Sequence, residues 1–152
     1  MYHPVVIRKY EAADQEALLH LFSLNVPAGF AAIEKADFTS YLENEAEMYW
    51  VLEEEGNPIG SGGINLFLSQ KMARISWDLL HPQKQNQGLG RRLLHFRMDL
   101  LKKMDCIETI QVRTSQMAYR FYQKSGFALM EIQENFWAEG YHLYDMKFFL
   151  NR

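Results

Sequence analysis

From position 85 the chain reads Gln-Asn-Gln-Gly-Leu-Gly-Arg-Arg: two glycines, then two arginines, where an extended segment closed by Pro82 gives way to an amphipathic one. A helix starting here leaves its first backbone N–H groups unpaired and presents the positive end of its dipole. A pyrophosphate seated there gains several charge-assisted hydrogen bonds, and glycine lets the backbone approach with no Cβ in the way. Arg91 and Arg92 favour an anionic ligand but oppose the helix dipole, an odd choice for stability alone. The candidates for phosphate contact are therefore Gln85, Asn86, Gln87, Gly88, Leu89, Gly90 and Arg91. Two glycines by themselves favour a plainer reading, a tight turn before a helix. No Gly-Lys-Ser/Thr follows, so the loop is not a P-loop. Leu93 stands where a dinucleotide fingerprint has its third glycine.

The surrounding pattern predicts the elements that must hold this loop. Residues 5–8 read as a first strand, and Asp14 is placed to cap a helix with Ala17, Leu18, Leu21 and Phe22 on one stripe. The run 25–29, containing Pro27 and Gly29, breaks the pattern, and a shorter helix follows over 37–42. Residues 49–52, 59–68 and 73–80 read as a meander of three antiparallel strands with a turn at 55–58. In the third of these, alternation predicts Ile75, Trp77 and Leu79 on one face and Arg74, Ser76, Asp78 and Leu80 on the other. After the loop, Leu89, Leu93, Phe96, Leu100 and Met104 fall at helical spacing. Residues 109–113 form the next strand. Ser115 can cap a helix carrying Ala118, Phe121 and Tyr122 that stops at Gly126, and strands over 127–135 and 143–150 close the chain.

In combination these features resemble the GCN5-related N-acetyltransferase (GNAT) family. Its acyl-CoA loop, Gln/Arg-x-x-Gly-x-Gly/Ala, is matched by Gln85, Gly88 and Gly90, after a strand ending Leu79-Leu80-His81-Pro82. The family's Asn-x-x-Ala-x-x-Phe-Tyr-x-x-x-Gly-Phe is matched about thirty residues on by Ser115, Ala118, Phe121, Tyr122, Gly126 and Phe127. Serine replaces the usual asparagine at 115, and Arg74 stands near the position of the glutamate that some members use as a base. Residues 25–30 and 140–146 also resemble one branch of the family. The resemblance implies an α/β (α+β) fold: a mixed, mostly antiparallel sheet of about six to seven strands flanked by about four helices, in the order β-α-α-β-β-β-α-β-α-β-β. Residues 1–152 are expected to form one domain.

The resemblance also implies transfer of an acetyl group from acetyl-CoA to a primary amine, of a small molecule or a protein, by direct attack in a ternary complex. An aliphatic amine of pKa near 10.4 is mostly protonated at neutral pH, so the free amine must be bound or its proton removed. Attack builds negative charge on the thioester oxygen. By resemblance, its donor is the backbone N–H of Leu80, where the central strand splays from its neighbour after Thr109, and the pantetheine arm pairs in the slot like an extra strand. Tyr122 matches the family's general acid toward the departing CoA thiolate, although a tyrosine beside Phe121 is also ordinary half-buried packing. Leu79, Leu80, Ser115, Ala118 and Tyr122 join the loop residues as expected cofactor contacts.

Asp78 is a candidate base, or else an ion-pair partner of Arg74 on the same strand face or of a residue on a neighbouring strand; Glu34, Glu139 and His142 are further candidates. Phe30, Glu34, Trp137 and Tyr141 fall in the segments that wall the acceptor site in such folds, and Glu34 and Glu139 are placed to attract a cationic amine. A rival reading is a non-catalytic acyl-CoA-binding sensor or interaction module on the same fold.

Bulk properties narrow the classes. The 152 residues suit one core, and 48% hydrophobic with 23% charged residues is a globular balance. A net charge of −3 argues against nucleic acid as a partner. No run approaches the roughly 20 apolar residues needed to span a membrane. The five histidines show no ligand-like spacing, so no metal is expected. The single cysteine, Cys106, suits a reducing compartment, and Met1-Tyr2-His3-Pro4 runs into a strand with no signal-peptide pattern, so a cytoplasmic location is expected. The apolar end 148–150 can pair between chains or complete the sheet internally, giving a monomer or homodimer.

Overall fold

The structure, a computed structural model, describes residues 4–152; the first three residues of the expected leaderless N-terminus lie outside the described ones. The predicted order of elements is the observed one. Strand β1 (Val5–Lys9) is followed by helices α1 (Gln15–Leu24) and α2 (Lys35–Asn44), then by strands β2 (Tyr49–Glu54), β3 (Asn57–Phe67) and β4 (Met72–Leu80). Helix α3 (Leu89–Lys102), strand β5 (Thr109–Thr114), helix α4 (Tyr119–Lys124) and strands β6 (Ala128–Ala138) and β7 (Tyr141–Phe149) complete the chain. The seven strands form one sheet in the order β1-β2-β3-β4-β5-β7-β6. Among the described residues only β4 and β5 run parallel; α3 makes the crossover between them, as a parallel pair requires. The end of the chain completes the sheet internally, because β7 lies between β5 and β6. Among the described residues no helix is long and apolar enough to cross a membrane.

Strand alternation sorts the interior into two clusters, one on each face of the sheet. Trp50, Leu52, Ala73, Ile75, Ile110, Val112 and Met146 pack under α3 and α4. Tyr49, Val51 and Leu79 pack under α1 and α2 with Leu18, Leu21, Phe22, Phe38, Tyr41 and Leu42. Asp14 stands at the N-cap of α1 as expected, but its side chain makes no cap bond to that helix. Its carboxylate takes a two-pronged bond from Arg8 at 2.8 Å on each oxygen and accepts the Glu11 N–H at 2.9 Å. That guanidinium holds the Asp14 carboxyl below the ordinary range.

The expected alternation along β4 fails in the middle. Gly63 pairs with Ser76 but Ser61 pairs with Leu79, so Trp77 and Asp78 stand opposite the single residue Gly62. This is a β-bulge, and Trp77 takes the left-handed conformation at φ 48° that closes it. The extra residue reverses the phase. Trp77 and Leu79 join the α1–α2 face, whereas Asp78 turns to the α3 face with Ile75, away from Arg74. Asp78 therefore does not pair with Arg74, which donates instead to Gln111 Oε1 at 2.8 Å.

Gly62 leaves room for what Asp78 does there. A Cβ on Gly62 would collide with Asp78 Oδ1 and lie 2.7 Å from Arg97 Nη1. Gly62→Ala is expected to destabilise the fold by about 3 kcal/mol, the upper end of overpacking costs, seen as a lower urea midpoint with an unchanged slope. A loss below about 0.5 kcal/mol would show that the carboxylate and guanidinium can move aside freely.

Candidate active site

Helix α3 begins where the sequence placed it, and Gly88 sits at its N-cap with φ 81°. The first intrahelical bond runs from Arg92 N–H to Gly88 O, so the N–H groups of Leu89, Gly90 and Arg91 have no partner within the helix. Arg91 and Arg92 are exposed beside them. A Cβ on Gly90 would meet Phe121 at 3.4 Å, an ordinary van der Waals contact, whereas Gly88 supplies the left-handed turn. Asn86 also takes positive φ, and Gln87 Nε2 donates to Gln83 O at 3.2 Å. Gln85 reaches back toward Asn25 Oδ1 and Leu80 O, each at 3.4 Å.

Beyond the α3 N-terminus the sheet opens. Parallel pairing of β4 with β5 persists from Met72–Thr109 to Ile75–Val112 and then stops. His81 donates its N–H to Ile59 O, so by antiparallel alternation Leu80, one residue earlier, turns its N–H and C=O away from β3 toward the gap. Its carbonyl accepts Asn25 Nδ2 at 3.2 Å. Leu79 contributes only backbone here, its side chain being buried in the α1–α2 cluster.

On the α3 side of the gap lies a buried chain of polar groups. Arg97, 0% exposed, donates from Nη1 to Asp78 Oδ1 at 2.6 Å and to Gly63 O at 3.0 Å, and from Nε to Leu93 O at 3.2 Å. Its Nη2 is buried without a hydrogen-bond partner among the described residues. The other Asp78 oxygen accepts the Tyr122 hydroxyl at 2.6 Å. Burial, reinforced by the Asp78 charge, pushes the Tyr122 phenol well above its ordinary pKa. Burial alone would lower that of Arg97, but Asp78 outweighs it and holds the guanidinium above its usual value.

The remaining candidates divide into those brought to the gap and those spent on local structure. Phe30 stacks on Phe22 with ring centroids 5.1 Å apart and lies 5.9 Å from Trp77, the bulge residue. Tyr141 donates its hydroxyl to Pro27 O at 2.9 Å, tying the β6–β7 hairpin to the loop after α1. Trp137 Nε1 donates to Thr114 O at 3.0 Å, at the splayed end of β5. Glu34 is buried, not solvated, and its carboxylate accepts the Ala31 N–H at 2.9 Å to close its own turn. Glu139 is exposed in the hairpin turn. His142 Nδ1 accepts the Asn135 N–H at 2.9 Å, which leaves the neutral ring's proton on Nε2. Ser115 bonds through Oγ to Met117 N–H at 3.3 Å, and α4 starts later than expected, with Ala118 at its N-cap.

Sequence reasoning misses Arg97, Asn25 and Gln116. A lone arginine at i+4 from Leu93, amid an apolar stripe, is the available signal for Arg97. The stripe that α3 buries is Leu93, Leu94, Arg97, Met98 and Leu101, turned from the expected one by about one residue. Gln116 grips the hairpin turn, donating to Gly140 O at 2.6 Å and accepting the His142 N–H at 3.0 Å; nothing in its spacing announces this.

The family model described as acetyltransferase (GNAT) domain matches residues 10–150. A curated relative, an amino-acid acetyltransferase of Pasteurella multocida, is 28% identical over 134 residues; the match takes in 88% of this chain but only 29% of that protein's length. Among solved structures, the ribosomal-protein-S18-alanine N-acetyltransferase of Escherichia coli superposes with a TM-score of 0.78 at 22% identity, covering 98% of this chain and 96% of that one. A Salmonella typhimurium protein solved with its cofactor acetyl-CoA gives 0.75 at 18% identity, covering 98% and 95%. At these identities the two superpositions speak to fold alone.

Proposed function

Because the chain belongs to the GNAT acetyltransferase family, we propose that it transfers an acetyl group from acetyl-CoA to a primary amine by direct attack in a ternary complex. The observation that carries this reading is the opening of β4 from β5 after Ile75–Val112, with the α3 N-terminus at its mouth and the Tyr122–Asp78 pair on its α3 side. The N–H groups of Leu89, Gly90 and Arg91 hold the pyrophosphate, with Gln85, Asn86, Gln87 and Gly88 shaping the loop. The pantetheine arm lies in the gap as an added strand, bordered by Leu79, Leu80, Ser115 and Ala118.

The amine nitrogen attacks the thioester carbonyl, a C–N bond forms, the C–S bond breaks and CoA leaves as thiolate. The Leu80 N–H, turned into the gap, stabilises the oxygen on which charge develops. Both Asp78 oxygens are already engaged, so Asp78 does not serve as the base; it orients Tyr122. Glu34 and His142 are likewise committed. The amine sheds its proton to water. As the thiolate forms, the Tyr122 hydroxyl swings its hydrogen bond from Asp78 to sulfur. A CoA thiol has a pKa near 8.5 and Tyr122 lies well above 10, so the sulfur leaves hydrogen-bonded, with its proton drawn from solvent.

Thermal unfolding with acetyl-CoA, CoA, ATP and NAD in parallel tests the reading. A ligand at 100 times its Kd adds about 2.7 kcal/mol, a rise of roughly 5 to 10 °C for this length. The expected result is a rise with both CoA compounds and none with ATP or NAD. No rise with CoA would sink the proposal. CoA binding without thiol release for any amine would leave the non-catalytic sensor as the better account.

A further inference from the structure

Among the described residues, two partly buried arginines on neighbouring strands, Arg74 and Arg113, have no carboxylate partner. Arg74, half-buried on β4, spends only Nε, on Gln111 Oε1 at 2.8 Å, and lays its guanidinium over Phe67 with 4.5 Å to the ring centroid. Arg113, on β5, makes no hydrogen bond through its side chain among the described residues. Its guanidinium lies 4.9 Å from the Phe136 centroid and 5.6 Å from that of Trp137. Neither forms an ion pair among the described residues, although both are partly withdrawn from water.

The two are held in place rather than loose. Gln111 is buried between them in the strand pattern, and its amide Nε2 donates onward to Asp145 Oδ1 at 3.1 Å, which fixes the oxygen that Arg74 uses. Trp137, against which Arg113 lies, is itself pinned to Thr114 O. The charges sense one another: burial and then Arg113 pull the Arg74 pKa down, against the opposing pull of Asp145 and Glu45. Aromatic rings cover guanidinium faces, while the N–H edges that fit a carboxylate fork remain unspent.

Their place in the fold says which ligand they serve. Ile75 and Val112 point into the cluster under α3, so their neighbours Arg74 and Arg113 point to the opposite face, away from the helix N-terminus that suits a pyrophosphate. Arg113 is the first β5 residue past the last pair with β4, at the open end of the gap. Trp137 beside it belongs to the hairpin whose Tyr141 reaches the loop after α1.

We propose that Arg74 and Arg113 form a receptor for a carboxylate on the acceptor, so that the substrate is an amine of the amino-acid class and not a polyamine. This rests on the acetyl-transfer reading above. The preference runs against the chain's overall charge of −3 and against the neighbouring acid Asp145, which stands opposite Arg113 in the strand register with one oxygen on Gln111 and forms an ion pair with neither arginine among the described residues.

The test is thiol release from acetyl-CoA with a panel of free amino acids, each matched to its own carboxamide, and with putrescine as a purely cationic arm. For at least one amino acid, kcat/KM is expected to exceed that of its carboxamide and of putrescine by tenfold or more. Arg74→Gln and Arg113→Gln should each erase most of that ratio by raising KM for the acid, while the thermal shift with acetyl-CoA stays as in the parent. Carboxamides or putrescine used as well as the acids, or a ratio that survives both substitutions, would overturn the receptor while leaving acetyl transfer intact. Loss of the acetyl-CoA shift in the unaltered protein would overturn the transfer reading itself, and the receptor with it.

Discussion

Tyr122→Phe is expected to lower kcat about 100-fold, the low end of what one preorganised hydrogen-bond donor to developing charge contributes, with acetyl-CoA affinity nearly unchanged. The substitution removes one oxygen and keeps the ring, whose edge-to-face contacts with Phe121 and Phe127 at 5.0 and 5.9 Å hold α4 in place. Asp78 Oδ2 loses its hydroxyl donor, but the Asp78 side chain is 20% exposed, so water can replace it and the stability loss should be about 1 kcal/mol. The pH dependence gives a second check. A phenol held well above pKa 10 stays protonated as pH rises through the neutral range, so Tyr122 imposes no descending limb below about pH 10. Parent and variant should therefore share one profile shape, rising with the fraction of unprotonated amine. Unchanged kcat, or a descending limb below pH 9 that the phenylalanine variant loses, would remove Tyr122 from this role.

The largest stability effect should come from Asp78→Asn. The amide preserves shape but withdraws the only carboxylate that, among the described residues, bonds a guanidinium that is 0% exposed and already has one buried nitrogen unpartnered. Breaking a buried pair from one side costs about 3–5 kcal/mol, which for a chain this long lowers Tm by on the order of 10 °C. Replacing the pair whole is different, because an apolar substitute escapes the desolvation penalty. Adding Arg97→Met to Asp78→Asn should restore most of the lost stability. Turnover should not recover with it, since Tyr122 still lacks the anion that orients it. A single variant within about 1 kcal/mol of the parent would show that the pair is solvated. A double variant with full turnover would show that Asp78 orients nothing.

Much of the fold and part of the candidate site are legible in the residues alone. The α3 N-terminus is marked by two kinds of local signal: a glycine that only a left-handed turn requires and the apolar stripe of the helix that follows. The order of elements can be read because strand and helix periods are local properties of the chain. Tyr122 stands out through the resemblance carried by its neighbours, not through any property of tyrosine. Asp78 is visible as an acid near the expected reaction centre, but its task is not. Simple alternation aims it at Arg74, and one extra residue in β4, closed by Trp77 at positive φ, sends it to the other face.

Two motifs carried the resemblance to the family to which the chain belongs, and the local pattern by itself determined the sequence of strands and helices and the glycine loop at a helix start. Those are fixed by interactions between residues a few positions apart, where periodicity and turn chemistry act. Tertiary structure alone decided the partners: Arg97 with Asp78 and Tyr122, Arg74 with Gln111, Tyr141 with Pro27. Each joins residues 19 to 114 positions apart. Such pairings depend on strand register and on a bulge that shifts the phase by one residue, and a one-residue shift turns a side chain to the opposite face of the sheet.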